Sequence, residues 1–405
     1  MTDKGRVWML VAMSAATFVV TASGSATAPF MPAIAADLAT DIPAIAHLFS
    51  VQAMTWGASA LLFGMLSHRL NRRITLVSSV VAMGVIRVLF ALSPNYAAAF
   101  TWQMLSGICG GAFMGVVFAT VSDHMPAGTR GRALSWVITG QSLSLVIGVP
   151  IVTLLGMLGG WRYALGIHGA FTALLAIALR LATPRDVVHP AQEQQTRAPL
   201  SSLLQFHLLA LMGAGTTERV CFATLAVFLP TFLQRAYAVP LSQLALALGL
   251  VALGNLTGNI IGGRVADRTR WRRKVFAFTL SMTALLALPT LLWHPGLGLS
   301  VALGFAYSFV NAAGRPSLMA VLSDMPSELR GALFGLNITM ASMGWLLAGS
   351  AGAALLASGG FTALGIFCSI IAAAGAAMAL ISSAPAKIET QAIEQHQRAS
   401  GRKAL

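Results

Sequence analysis

Glu218 and Arg219 stand in the middle of an apolar run, residues 207–232, HLLALMGAGTTERVCFATLAVFLPTF. About 20 such residues cross a bilayer. His207 lies eleven residues before Glu218 and Phe232 fourteen after. At about 1.5 Å per residue, neither water layer is close. A charge at that depth costs roughly 2.5–3.5 kcal/mol on insertion scales unless a partner or a wet cavity receives it. Glu218 is the one acidic residue inside such a run; the remaining acids fall in loops or tails. The chemistry open to it is proton carriage. A carboxyl's pKa rises in apolar surroundings and falls when an arginine comes within about 4–6 Å. Movement between two such surroundings takes up and releases a proton.

Adjacent residues point about 100° apart on a helix, so Glu218 and Arg219 do not face each other well. Glu218 therefore looks to another span. Residues 298–322 carry Tyr307, Asn311 and Arg315 at spacing four, one polar stripe. Counted from Gly298, Asn311 comes to about the depth of Glu218 and Arg315 one turn deeper. A Glu218–Arg315 contact is feasible. It could work in transport, or it could be a permanent ion pair that only fixes helix packing. If Glu218 neutralises one arginine, Arg219 or Arg315 is left to favour an anionic or zwitterionic substrate. Arg219 could instead bond backbone or amide groups on a neighbouring span. Arg87, five residues from the end of its run, is expected to snorkel to the interface. Further polar stripes are Thr17, Thr21 and Ser25; Gln141 and Ser144; Asn255 and Asn259; and Asn337. Each could bind a ligand or bond helix to helix. The substrate-binding candidates are Glu218, Arg219, Tyr307, Asn311, Arg315, Thr17, Thr21 and Gln141.

Other chemistries find no constellation. None of the eight histidines pairs with another ligand at helical spacing, so no metal site is expected. Cys109, Cys221 and Cys368 all sit in apolar runs and are read as packing residues. No glycine-rich segment joins a strand to a helix to cradle a phosphate. The expectation is a protein without cofactor, metal or enzymatic activity.

These residues need membrane helices to hold them. The 405 residues are 57% hydrophobic and 9% charged, with mean hydropathy +0.77. A soluble domain carries about 25% charged residues. The sequence predicts twelve spans, near 8–28, 44–66, 74–92, 97–121, 133–157, 162–182, 204–232, 241–262, 275–293, 298–322, 332–357 and 361–382. The net charge of +14 is a topology signal and not a nucleic-acid footprint. Only Arg162 and Arg235 fall in odd-numbered connections, and Arg87, Arg219 and Arg315 within spans; every other Lys and Arg lies in even-numbered connections or tails. That places both termini in the cytoplasm. Ala26-Thr27-Ala28 mimics a signal cleavage site, but the first run is too long for a signal peptide and Pro29 would follow the cut.

The halves repeat at an offset near 200. Gly64…Arg69…Arg72-Arg73 matches Gly263…Arg268…Arg272-Arg273; Pro126…Arg130-Gly131 matches Pro326…Arg330-Gly331; Pro29 matches Pro230, both at span ends. A six-span unit used twice in one orientation implies a pseudo-two-fold axis along the membrane normal. The expected division is 1–182 and 204–382 as bundles, 183–203 as a cytoplasmic linker and 383–405 as a tail. Gly107, Gly111 and Gly115, and Gly254, Gly258 and Gly262, repeat at four and are read as sites of close helix packing.

With these residues in view, the chain resembles the major facilitator superfamily over nearly its whole length. GMLSHRLNRR (64–73) is similar to that family's signature loop between spans 2 and 3, and GRVADRTRWRR (263–273) resembles its second copy. Gly140, Gly148 and Pro150, Trp161-Arg162 and MPAIAADL (31–38) resemble its drug and arabinose efflux branch of proton antiporters. The resemblance implies an all-α fold of two pseudo-symmetric six-helix bundles, with spans 1, 4, 7 and 10 lining a central cavity. It implies gating by Arg69, Arg73, Asp267, Arg268, Arg130 and Arg330. Departures are His68 where the loop carries Asp, Asn71 where it carries Gly, and Gln103 where the efflux motif places an Arg. The expected activity is proton-coupled export of a small organic molecule across the cytoplasmic membrane by a functional monomer, with Glu218 as proton carrier. The alternatives are an organic-anion exchanger or importer with Arg315 and Arg219 as clamp, and a non-transporting receptor.

Overall fold

The computed structural model describes residues 3–66, 70–125, 130–183, 206–293, 295–323 and 327–382. The expected linker, save Thr183, the tail from 383 and Arg69 lie outside the described residues. The long elements are α1 (Asp3–Ser25), α3 (Ile42–Leu66), α4 (Arg72–Ala91), α5 (Tyr96–His124), α6 (Arg130–Leu143), α7 (Val149–Ala182), α8 (Phe206–Tyr237), α9 (Leu241–Arg268), α10 (Arg272–Leu292), α11 (Leu297–Ser323) and α12 (Ser327–Ile381). A short helix, α2 (Met31–Asp37), follows α1 after a 3-10 turn at Ala28–Phe30. Ten described helical stretches are long and apolar enough to cross a membrane.

Two of those ten are double length, 47 residues over Trp136–Ala182 and 43 over Thr339–Ile381. Each breaks at a glycine of positive φ, Gly160 at 73° and Gly360 at 64°. Before the first break, Gly140, Gly148 and Gly156 lie in turn against Ser14, Phe18 and Phe30, parallel to α1. After it, Arg162 donates to the Ala91 carbonyl at 2.9 Å and Arg73 donates to the Arg180 carbonyl at 2.6 Å, antiparallel to α4. In α12, Gly344 and Gly352 lie against Arg219 and Phe228, parallel to α8. Beyond Gly360, Gly365 meets Leu292, and Arg273 donates to the Ser382 carbonyl at 2.6 Å, antiparallel to α10. Both long helices therefore turn back on themselves, each giving two antiparallel stretches among the described residues. Arg73 and Arg273 make the same helix-end bond at equivalent repeat positions, donating to terminal carbonyls that the helix leaves free.

Gly360 has φ 64° and ψ −156°, a region only glycine occupies without strain of about 1–3 kcal/mol. Gly360→Ala is expected to lose stability in that range. Thermal unfolding in detergent reads it, and an unchanged midpoint would show that the turn re-forms elsewhere.

The glycine triplets pack as expected. Gly107, Gly111 and Gly115 of α5 press on Gln52, Trp56 and Ala60 backbone in α3, and Gly254, Gly258 and Gly262 of α9 on Phe305, Phe309 and Ala313 backbone in α11. One repeat position behaves differently from the sequence reading. Pro29 sits in a true break after α1, but Pro230 lies inside α8, which runs on to Tyr237. Buried apolar packing carries α8 through: Phe228, Leu229, Phe232 and Leu233 are all 2% exposed or less.

Arg72, Arg73, Arg268, Arg272, Arg273 and Lys274 mark one end of the molecule, the basic end. Toward the opposite end the two bundles meet. Gln234 of α8 donates to the Pro29 carbonyl at 2.8 Å, and Gly156 lies against Leu241 of α9. Along α3 and α12, Ser50 donates to the Leu346 carbonyl at 3.1 Å and Gly57 touches Ser342.

Candidate functional site

α8 is the most buried of the candidate spans, two-thirds enclosed, and Glu218 lies near its middle, 1% exposed. Arg315 Nη2 of α11 donates to Glu218 Oε1 at 2.8 Å. Arg219 also reaches the carboxylate, Nε to Oε2 at 3.4 Å, because its long stem curls back over the helix. The adjacent-residue geometry suggested otherwise. The cluster holds one carboxylate and two guanidiniums, the arginines 17% and 20% exposed at their side chains. Arg315 lies over the Phe222 ring at 5.4 Å, and Phe222 meets Trp345 edge-on at 5.9 Å. Arg219 is packed against Gly344 of α12.

The rest of the α11 stripe turns to α8 as well. Asn311 Nδ2 is 3.4 Å from the Glu218 carbonyl, and the Tyr307 hydroxyl donates to the Cys221 carbonyl at 3.2 Å. Both residues are 1% exposed. The α1 and α6 candidates stay apart from this cluster. Thr17 is fully buried and its hydroxyl donates to the Met13 carbonyl of its own helix at 2.8 Å. Thr21 and Gln141 are half-buried, and no described bond joins either to Glu218.

Arg87 does not snorkel. It is 1% exposed and points into the first bundle. Nη2 donates to Thr27 Oγ1 at 2.8 Å, Nη1 reaches Gln103 Oε1 at 3.5 Å, and the guanidinium lies 5.3 Å from the Phe90 ring. Gln103 passes the chain on to Gln52 at 2.9 Å, and Gln52 to Ser106 at 3.4 Å. Depth along the helix suggested a route to water. Azimuth decides otherwise: the α4 face carrying Arg87 packs on Gly169 of α7, which closes the way out. Gln103, where the efflux motif has arginine, thus receives an arginine from α4.

At the end opposite the basic residues, Trp161 Nε1 donates to Asp37 Oδ2 at 2.7 Å, and Arg162 Nε lies 3.5 Å from the same atom and 4.4 Å over the Trp161 ring. Arg162 also donates to the Ala91 and Ser93 carbonyls at 2.9 Å. The two short motifs read in the sequence, MPAIAADL and Trp161-Arg162, are therefore one cluster in space. Among the gating candidates, Asp267 and Arg268 are exposed and unpartnered among the described residues. Arg73 is engaged with Arg180. The side chains of Arg130 and Arg330 lie outside the described residues.

Between the bundles, one turn beyond Glu218, lies a small apolar chamber of about 60 Å³. Phe222, Leu225, Leu229, Leu145, Val149 and Val251 supply most of its wall, with Ser25, Asn255 and Ser308 as polar members. Phe222 joins the two regions, since Arg315 lies over its ring and it also lines the chamber. Sequence reasoning missed Phe222 and Ser308. Phe222 stands four residues after Glu218, so helical spacing could have found it.

Comparison with known proteins follows the same lines. A family model described as Major Facilitator Superfamily matches residues 13–268 and again 208–403. The chain is 26% identical over 379 residues to the inner membrane transport protein YdhP of Escherichia coli K12, covering 92% of this chain and 94% of the relative. It is 28% identical over 349 residues to the human chromaffin granule amine transporter, covering 82% and 63%. It is 26% identical over 287 residues to a chloramphenicol efflux pump of Mycobacterium tuberculosis, covering 70% and 68%. Among solved structures it superposes on a bacterial homologue of the human lysosomal transporter Spinster, inward-facing and occupied, with TM-score 0.77, 15% identity and coverage of 94% and 97%.

Proposed function

The chain belongs to the Major Facilitator Superfamily, and on that premise we propose that this multi-pass membrane transporter exports a small organic molecule in exchange for protons. The observation that carries the reading is Glu218, a mid-membrane carboxylate held by two arginines on two helices. The 1–182 and 204–382 bundles rock about the cleft, joined by the 183–203 linker, with the basic end and both termini in the cytoplasm. When α8 and α11 shift relative to each other, the carboxyl parts from Arg315. A carboxyl left in apolar surroundings takes a proton rather than stay charged. Return of the arginine expels the proton, and substrate binding next to Phe222 is coupled to that exchange. Arg69, Arg73, Arg130, Asp267, Arg268 and Arg330 gate the cytoplasmic side, and Thr21 and Gln141 face the cleft from the first bundle. The protein works in the inner membrane as a monomer.

The experiment is substrate-driven proton flux in proteoliposomes carrying a trapped pH dye, with chloramphenicol and a panel of hydrophobic amines as trial substrates. Wild type is expected to move protons when substrate is added, and Glu218→Gln to lose that flux by more than about tenfold, the range that removal of a positioned proton carrier produces. Coupled flux at the wild-type rate in Glu218→Gln overturns the assignment. The excess of guanidinium over carboxylate, two to one in the cluster, favours a second reading, organic-anion exchange on Arg315 and Arg219. Transport that ignores a collapsed pH gradient but requires a counter-anion decides for it.

A further inference from the structure

The loops after α3 and after α9 are equivalent in the repeat, but they differ where they meet lipid. Gly64 matches Gly263, and Arg72-Arg73 matches Arg272-Arg273. One residue beyond each marker, Met65 stands where Arg264 does and Ile74 where Lys274 does. Met65 is 60% exposed and Ile74 62%. Large apolar side chains so open on a membrane helix mark the surface that lipid covers. Arg264 and Lys274 therefore stand at the lipid boundary. Their own helices agree. Ile260, one turn before Arg264 on α9, and Phe278, one turn after Lys274 on α10, are both exposed.

Arg264, Arg268, Arg270 and Lys274 are all exposed, and the three arginines make no side-chain bond among the described residues. One carboxylate, Asp267, stands among them and pairs with none of them. The Trp271 ring is 63% exposed, with Lys274 Nζ 3.8 Å over it. The turn that carries these groups is fixed. Trp271 N donates to Thr269 Oγ1 at 3.1 Å, and Arg272 Nε donates to the Ala266 carbonyl at 3.0 Å. At this depth α11 stands between the two helices, since Gly262 of α9 meets Ala313 and Phe276 of α10 meets Gly314. We propose that this cluster binds the headgroup phosphate of an anionic phospholipid from the leaflet at the basic end, with Arg264 and Lys274 on the phosphate and Trp271 beside it. A topology signal asks only for basic residues on this side, and Arg268, Arg272 and Arg273 meet that as Arg69, Arg72 and Arg73 do. It does not account for two charges placed where the first bundle keeps methionine and isoleucine. Trp belongs at headgroup level, and the anion within reach there is a lipid phosphate. The site involves neither substrate nor Glu218, so it stands or falls apart from the transport reading.

The test is quenching of Trp271 fluorescence in nanodiscs by chain-brominated phosphatidylglycerol or by phosphatidylcholine with the same chains, each dilute in unlabelled phosphatidylcholine. The signal of Trp271 alone is the difference between each protein and its Trp271→Phe counterpart. Wild type is expected to be quenched at about tenfold lower phosphatidylglycerol than phosphatidylcholine. Arg264→Met/Lys274→Ile, which restores the residues of the first bundle, is expected to lose most of that preference, near fivefold for each charge removed. Lys387→Gln/Arg402→Gln removes the same net charge from the tail and is expected to keep it. Equal quenching of wild type by the two lipids overturns the proposal, as does an undiminished preference in Arg264→Met/Lys274→Ile. An equal loss in the tail variant shows a response to net charge alone and overturns the site. If Arg264→Met/Lys274→Ile fails to fold, salt raised on wild type from about 0.1 to about 1 M, which shortens screening from about 10 to about 3 Å, is expected to abolish the preference, and a preference that survives it overturns the phosphate contact.

Discussion

Glu218→Ala should destabilise the folded protein by about 3–5 kcal/mol, and Glu218→Ala/Arg315→Ala should recover most of that loss. Glu218 is 1% exposed, so its charge was taken out of water only because Arg315 at 2.8 Å and Arg219 at 3.4 Å receive it. Removing the carboxylate leaves two guanidiniums side by side with nothing between them. Like charges at such range repel, and neither is open enough to be solvated fully. Taking Arg315 away as well removes the repulsion and leaves Arg219 alone against Gly344. Unfolding in mixed micelles by denaturing detergent reads all three proteins. A double variant as unstable as the single one would show that Arg315 is held by its stacking on Phe222 and not by the charge. The same double variant, stable but without Glu218, separates folding from proton coupling, because the proposed exchange predicts that it folds and does not couple.

Arg87→Met should have the opposite sign, a gain of about 1–4 kcal/mol. The guanidinium is buried with one hydroxyl and one amide oxygen for partners, and Nε has no acceptor among the described residues. Neutral partners return only part of what the charge lost on leaving water. Methionine has nearly the same reach and packs well on the Phe90 ring. Gln103 Nε2 keeps its bond to Gln52 in the variant, while Gln103 Oε1 and Thr27 Oγ1 lose only their shared donor. A thermal midpoint above wild type is the expected outcome. A lower midpoint would mean that the tie between Thr27 and Gln103 outweighs the cost of the charge.

The spans were legible because bilayer thickness imposes one length on every one of them, and because the basic residues gather at alternate connections. The turns at Gly160 and Gly360 fell where two apolar runs nearly touch. What depth counting gave along a helix, it could not give around it. Arg315 was placed correctly opposite Glu218 because a stripe at spacing four names its own face. Arg87 had no such stripe, and five residues to the span end looked like access to water until Gly169 closed that side. Pro230 matched Pro29 in the repeat, yet only Pro29 breaks its helix, since the packing of Phe228 and Phe232 keeps α8 continuous. The chamber was invisible for a related reason. Its wall comes from both bundles, and which faces meet is a property of the assembled pair.

The glycine reversals have one more consequence. Away from the basic end, connections such as 92–95 and 238–240 are only a few residues, and the longer one after α1 is itself folded into α2. Slack is nearly absent there, so a mismatch between the apolar length of the spans and the thickness of the surrounding lipid cannot be absorbed by stretching a loop. It has to be met by tilting whole helix pairs, which is the kind of movement that the proposed rocking of the bundles calls on. Acyl-chain length thereby becomes a mechanical load on the resting balance between the two faces.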